Sequence, residues 1–191
     1  VALIALASAL SAQSLQTNGR KTDEQWQTSI DAHKAEFDYL LGDWEFTAVS
    51  KQWGQFNGRW SAVKLAEGQI LDEFRILDDQ GGTVFVTTTI RNWNADQDQW
   101  ELIGADPGDG LRDLGIGHWV AGEMRIEQTI NVARGTPLMS RIRYHHIRPD
   151  AFSWVADRST DGGKTWVIAS QTIEARRVGP ARSLGALVPR K

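Results

Sequence analysis

Ten short runs of strand-forming residues succeed one another at 44–51, 59–65, 69–77, 83–93, 99–104, 117–121, 123–132, 138–148, 152–158 and 165–177. Turn chemistry divides them at Asn57-Gly58, Asp78-Asp79-Gln80-Gly81-Gly82, Asn94-Ala95-Asp96, Pro107-Gly108-Asp109-Gly110, Arg134-Gly135-Thr136-Pro137, Pro149-Asp150 and Asp161-Gly162-Gly163. Such clusters supply the positive or fixed φ that a reversing chain needs. No helical period intervenes, so neighbours pair antiparallel, and ten strands in one domain must curl into a barrel or split into a sandwich. The expectation is an all-β, up-and-down antiparallel barrel.

Alternation along the runs gives each strand two environments. Phe152, Trp154 and Ala156 alternate with Ser153, Val155 and Asp157, and Ile142, Tyr144 and His146 with Arg141, Arg143 and His145. In the run at 83–93, Val84, Val86 and Ile90 share one face and Phe85, Arg91 and Trp93 the other, and periodicity leaves the inward face open. Upstream, Trp26, Ile30, Phe37 and Leu41 recur at helical period. Thr22 with Gln25 forms a capping box before that helix, and Gly42 is placed to end it.

With 191 residues, 41% of them hydrophobic, the chain has material for one core. Residues 22–178 make the barrel domain with its helix, flanked by 1–21 and a loose tail at 179–191. In that tail, Leu187-Val188-Pro189-Arg190 resembles a protease cleavage site, and a natural tail is the equal alternative. The first twelve residues hold ten apolar ones and no charge, too short to span a bilayer but similar to the h-region of a secretory signal. Residues 1–21 are therefore read as a signal remnant and linker, with periplasmic or secreted destination. A cytosolic apolar helix is the alternative. A formal net charge of −3 provides no global attraction for nucleic acid. The absence of cysteine excludes disulfides, thiolate metal sites and a cysteine nucleophile, so any metal would use His, Asp or Glu.

Gly42-Asp43-Trp44 heads the first strand and Arg176-Arg177 closes the last. This pairing resembles the calycin superfamily, in which a Trp on strand one plugs a barrel end and a basic side chain from the last strand packs on its face. Gly42, Trp44 and Arg176 are the expected structural set, with a cation–π contact of about 0.5–2 kcal/mol. A narrower resemblance runs from Phe37 to Arg177, carried by Phe37-Asp38-Tyr39-Leu40-Leu41-Gly42-Asp43-Trp44, Ile70-Leu71-Asp72-Glu73-Phe74-Arg75, Pro149-Asp150-Ala151-Phe152-Ser153-Trp154 and Ser159-Thr160-Asp161-Gly162-Gly163-Lys164-Thr165-Trp166. These segments are similar to a bacterial lipocalin-like family classed as a domain of unknown function. The resemblance implies a calycin barrel and transfers no catalytic residues. The stretch 106–117, rich in Gly and Asp, departs from it. Asp161, Gly163 and Trp166 also fit the Asp-box of sialidase-like propellers; in a single copy they read as a hairpin brace.

Nine tryptophans suggest flat walls for a ligand. The expected function is binding of a small hydrophobic or aromatic molecule, with a carboxylate as an option, by Arg91, Trp93, Trp100, His118, Trp119, Tyr144, His146 and Trp154. An inward Arg91 or Arg143 would need an anion, supplied by Glu73 or by the ligand. The alternative is a barrel lyase, isomerase or hydrolase using His146, His118, Glu73 and Tyr144 as acid–base groups. A haem held by His118 or His146 is a further option, with no other cofactor expected. His145 and His146, adjacent in a strand, face opposite ways in regular geometry, and no His-x-His pair exists, so no metal site is expected.

Overall fold

The computed structural model describes residues 21–131 and 137–184. The apolar run at 1–12, most of the turn around Arg134, and Leu187-Val188-Pro189-Arg190 lie outside the described residues. Helix α1 (Asp23–His33) starts at the expected capping box: Gln25 N donates to Thr22 Oγ1 at 3.3 Å and Thr22 N to Gln25 Oε1 at 2.9 Å. The helix stops at His33 instead of running to Leu41. Phe37 and Leu40 are fully buried, and a straight helix would carry them past the barrel. The chain turns inward through a 3₁₀ turn at Asp38–Leu40, and Gly42 opens the first strand.

Strands β1 (Gly42–Ser50), β2 (Gly54–Lys64), β3 (Ile70–Leu77), β4 (Thr83–Asn94), β5 (Gln99–Asp106), β6 (Gly110–Val120), β7 (Glu123–Ile130), β8 (Leu138–Arg148), β9 (Ala151–Ser159) and β10 (Val167–Gly179) each pair antiparallel with the next. β10 also pairs with β1, which closes a ten-strand up-and-down barrel of calycin type. Asn57-Gly58, expected as a turn, lies inside β2. Close packing explains the glycine: a Cβ on Gly58 would fall 2.1 Å from the Phe46 ring and 2.2 Å from the Arg75 carbonyl. The Gly- and Asp-rich stretch at 106–117 forms the β5–β6 hairpin, with β6 already under way at Gly110.

The start of the tail is tied down. β1 reaches only as far as Ala62 on its partner, which leaves the edge of Val63 and Lys64 free. β11 (Arg182–Ser183) fills that edge in parallel, and Leu184 N donates to Lys64 O at 2.8 Å. An unpaired strand edge is costly to leave exposed, and the tail covers it.

α1 caps one barrel end through polar contacts on tryptophans. His33 stacks on Trp93 with ring centroids 3.8 Å apart, Trp93 Nε1 donates to Ser29 Oγ at 2.9 Å, and Trp100 Nε1 to Glu36 Oε2 at 2.9 Å. Beside the cap, Trp44 is 1% exposed and donates to Leu40 O at 2.8 Å. The guanidinium over its face belongs to Arg177, 4.2 Å from the ring centroid. Arg176, the expected partner, points outward to Glu45 with its side chain 73% exposed. Adjacent strand residues take opposite faces, and register puts Arg177 opposite Trp44. Arg177 also donates to the carbonyls of Leu41, Tyr39 (3.1 Å) and Pro149 (2.7 Å).

The hairpin brace forms as expected. Asp161 accepts from Lys164 N, Thr165 N and Thr165 Oγ1, Gly163 N donates to Ser159 Oγ, and Trp166 Nε1 donates to Gly163 O. These donors, Thr165 foremost, lower the Asp161 pKa to about 2.

Arg177→Leu is expected to destabilise the barrel by about 2–4 kcal/mol in urea unfolding, whereas Arg176→Ala stays within about 0.5 kcal/mol. Equal effects would show that the stack does not hold the barrel end. For Asp161, carboxyl NMR should find a midpoint near 2, below the ordinary 3.8. Because the folded value is depressed, its contribution to stability is complete above the ordinary value and is lost as pH falls through about 2.

Candidate functional site

Register fixes the inward set. Across the wall, Trp44, Trp60, Phe74 and Thr87 form one row, and Ile70, Arg91, Leu102, Gly115, Gln128, Ser140 and Arg158 another. Phe85, Arg91 and Trp93 therefore face inward on β4, while Val84 is 62% exposed. The interior divides into two chemistries along the barrel axis.

The half under α1 is aromatic. Phe37, Tyr39, Trp44, Trp60, Tyr144 and Phe152 meet with ring centroids 4.8–6.4 Å apart. Of the residues expected at a ligand, Arg91, Trp93, Trp100, Tyr144 and Trp154 gather here, and Trp119 sits at the rim near Tyr39. Within this core Arg91 meets Asp72: Nε donates to Oδ2 at 2.6 Å and Nη2 to Oδ1 at 3.2 Å. Trp60 Nε1 gives Oδ1 a further bond at 2.7 Å. Glu73, named as the possible partner, faces outward and pairs with Arg75. β3 alternates Ile70, Asp72 and Phe74 inward, so parity selects Asp72.

Burial alone would push the Arg91 pKa down, but the Asp72 carboxylate outweighs it and holds the guanidinium charged. Burial also raises the Tyr39 hydroxyl well above its usual range and Tyr144 to about 12. Both phenols stay neutral, and the Arg91–Asp72 pair cancels its own charge. Arg91 Nη1 and Tyr39 OH remain buried without partners.

The opposite half, near turns 51–53, 78–82, 107–109 and 160–166, is lined by small and polar side chains. Thr89, Asp113, Ser140 and Gln171 are buried, Gly104 and Gly115 add none, Phe74 and Phe85 are its aromatics, and Trp53, 59% exposed in the turn after β1, stands at its rim. Two guanidiniums stand here. Arg112 occupies an irregularity in the β5–β6 ladder, lies 4.8 Å from the Phe85 ring centroid, and pairs with Asp106 at 2.6 Å and Asp113 at 3.6 Å. Arg158 lies 5.4 Å from the Trp53 ring and donates to Gln171 Oε1 at 2.9 Å. Its buried Nε has no partner, and among the described residues no carboxylate lies within ion-pair distance of it. Burial lowers the Arg158 pKa, and the neighbouring Arg112 charge adds to that. Burial raises the Asp113 carboxyl despite Gln128 and Arg112 beside it, and Asp113 Oδ1 and Asp106 Oδ1 are also unpartnered.

The acid–base set does not assemble. His118, His146 and Glu73 face outward, and Tyr144 faces inward. The two histidines named for haem are therefore on the outer surface. Arg143 is also outward, near Glu123. Sequence reasoning missed Arg158, Arg112, Asp113 and Asp72 as interior groups, whereas Trp53 is among the tryptophans it offers as ligand walls. Arg158 ends the run at 152–158, and its parity with Trp154 and Ala156 places it inward. Two concavities lie on the outer wall. One, of about 470 Å³, is lined by Ile103, Leu114, Ile116, Met139, Arg141 and Trp166, and another, of about 310 Å³, by Glu45, Asn57, Arg59 and Arg176. Neither contains the unpartnered buried groups, which point to the interior instead.

No family model matches the chain, and no curated protein is significantly similar to it.

Removing either member of the buried pair leaves an uncompensated charge. Arg91→Leu or Asp72→Leu alone should cost about 3–5 kcal/mol in chemical denaturation, and the double variant should recover most of it. Additive losses would show that the pair is not a self-contained unit.

Proposed function

We propose that this barrel binds a small apolar or aromatic molecule bearing a carboxylate, taken up through the end opposite α1, with Arg158 receiving the acid group. The observation that carries this reading is the guanidinium of Arg158 within the barrel wall, without a carboxylate partner among the described residues and beside a second cation. A partly desolvated guanidinium is stabilised by an anion, and its planar fork suits a carboxylate. Arg91 lacks that need, because Asp72 already neutralises it. Phe74, Phe85 and Trp53 offer aromatic surface for the ligand body, and unpartnered Asp113 Oδ1 would accept from a hydroxyl on it. The apolar run at 1–12 supports export to the periplasm or beyond, and the Gly-x-Trp start with its closing Arg supports kinship with the bacterial lipocalin-like family.

Intrinsic fluorescence tests the reading, since Trp53 lies against Arg158. Long-chain and aromatic carboxylic acids should perturb the emission and bind about tenfold or more tighter than the matching alcohols, the range of one charge-assisted hydrogen bond. Arg158→Gln should erase that preference, and Trp53→Phe should remove most of the signal. A preference for acids that survives Arg158→Gln, or no response to any acid, overturns it.

A further inference from the structure

The β8–β9 pairing breaks between His145 and Arg148, where the residues His146 and Ile147 of β8 face the single residue Phe152 of β9. His146 takes φ +50 at this bulge, in the left-handed region that non-glycine residues seldom adopt and where histidine, with Asn and Asp, is among the more frequent. In a regular strand His145 and His146 would diverge. The bulge cancels that divergence, and their rings meet on the outer surface with centroids 4.6 Å apart, an interplanar angle of 71°, and the two Nδ1 atoms 3.2 Å apart.

That separation fits one hydrogen bond between the rings. It also fits two corners of a coordination tetrahedron, because zinc–imidazole bonds of about 2.0–2.1 Å put adjacent ligand nitrogens about 3.3 Å apart. We propose that His145 and His146 form a surface site for a divalent transition-metal ion of the zinc class, bound through both Nδ1 atoms. Imidazole nitrogen suits Zn²⁺, Cu²⁺ and Ni²⁺ and disfavours Mg²⁺ and Ca²⁺. Water completes the shell, since no third His, Asp or Glu gathers with the pair into a cluster among the described residues. Glu123 and Glu174 lie close enough to act on His145 electrostatically, and they offset the repulsion that Arg143 exerts on a cation there. Glu174 is held by Ser153, whose Oγ donates to Oε2 at 2.7 Å, and Ser153 is the cross-strand partner of His145.

The site lies on the outside of the wall, at the α1 end, so it is independent of the interior site proposed above. The test uses the full chain with ZnCl₂, followed by nitrogen-resolved NMR of the histidine rings and by calorimetry. One equivalent should bind, with the His145 and His146 Nδ1 resonances shifting together, EDTA reversing the change, and MgCl₂ having no effect. His146→Asn keeps a residue that tolerates the left-handed backbone, so the bulge survives while the ligand is lost. Loss of an outer-shell partner alone costs about 10–100-fold in metal affinity, so this variant and His145→Gln should each weaken binding at least tenfold. His118→Ala should leave it unchanged. Zinc binding that persists in His146→Asn, shifts confined to Nε2 of separate rings, or no change under a large molar excess of Zn²⁺ would each overturn the proposal.

Discussion

The stack of Arg177 on Trp44 is the contact on which the rest of this barrel depends. A curled sheet closes only if its first and last strands meet, and here the two residues meet directly across the β1–β10 seam. The guanidinium does more than cover the indole. Its N–H groups take the carbonyls of Tyr39 and Leu41, in the segment entering from α1, and of Pro149, in the β8–β9 turn. Three chain segments are thereby fixed to one side chain. Gly42 makes the approach feasible: it holds φ +102, and a Cβ there would fall 2.7 Å from Arg177 Nη1. With this end held and Phe37 and Leu40 driven into it, the end opposite is the one lined by small and polar side chains.

Arg91 and Arg158 show how similar residues acquire different roles through their partners. Arg91 is buried with Asp72 and three aromatic rings around its guanidinium, and its charge is satisfied from within. Such a pair contributes little net stability over an apolar pair of the same size, but it cannot lose one member cheaply. It specifies how the aromatic half packs. Among the described residues, Arg158 has the neutral amide of Gln171 as its hydrogen-bond partner and a second guanidinium nearby. A protein selected only for stability would place a carboxylate beside it, as it did for Arg91. That difference in compensation, more than the number of tryptophans, separates the core from the candidate site.

Much of the architecture was legible in the chain because alternation and turn chemistry are local signals. The runs at 138–148 and 152–158 showed their inward faces through Ile142, Tyr144, Trp154 and Ala156, and the barrel placed all four inside. What could not be read was any choice between neighbours. Arg177 rather than Arg176, and Asp72 rather than Glu73, are decisions of parity across a register that only pairing defines. The tryptophans misled for a related reason. Trp93 and Trp100 face inward, but their indole nitrogens are taken by Ser29 of α1 and by Glu36 in the segment just after it, and contacts of that sequence range leave no trace in periodicity.

The bulges account for the remaining surprises, since each adds a residue and reverses parity beyond it. At the β5–β6 irregularity Arg112 turns toward the Phe85 ring, with Asp106 and Asp113 as its ion-pair partners, and its charge adds to the lowering of the Arg158 pKa. At the β8–β9 irregularity two histidines that regular geometry separates come within 3.2 Å. Neither departure is required for closure, because the ladders resume on both sides. His146 holds a left-handed backbone at this bulge, a conformation that histidine, like Asn and Asp, adopts more readily than most residues. The β8–β9 bulge brings Ile147 against the core in the place that regular alternation would give His146, and the same step leaves both imidazoles together on the outer wall.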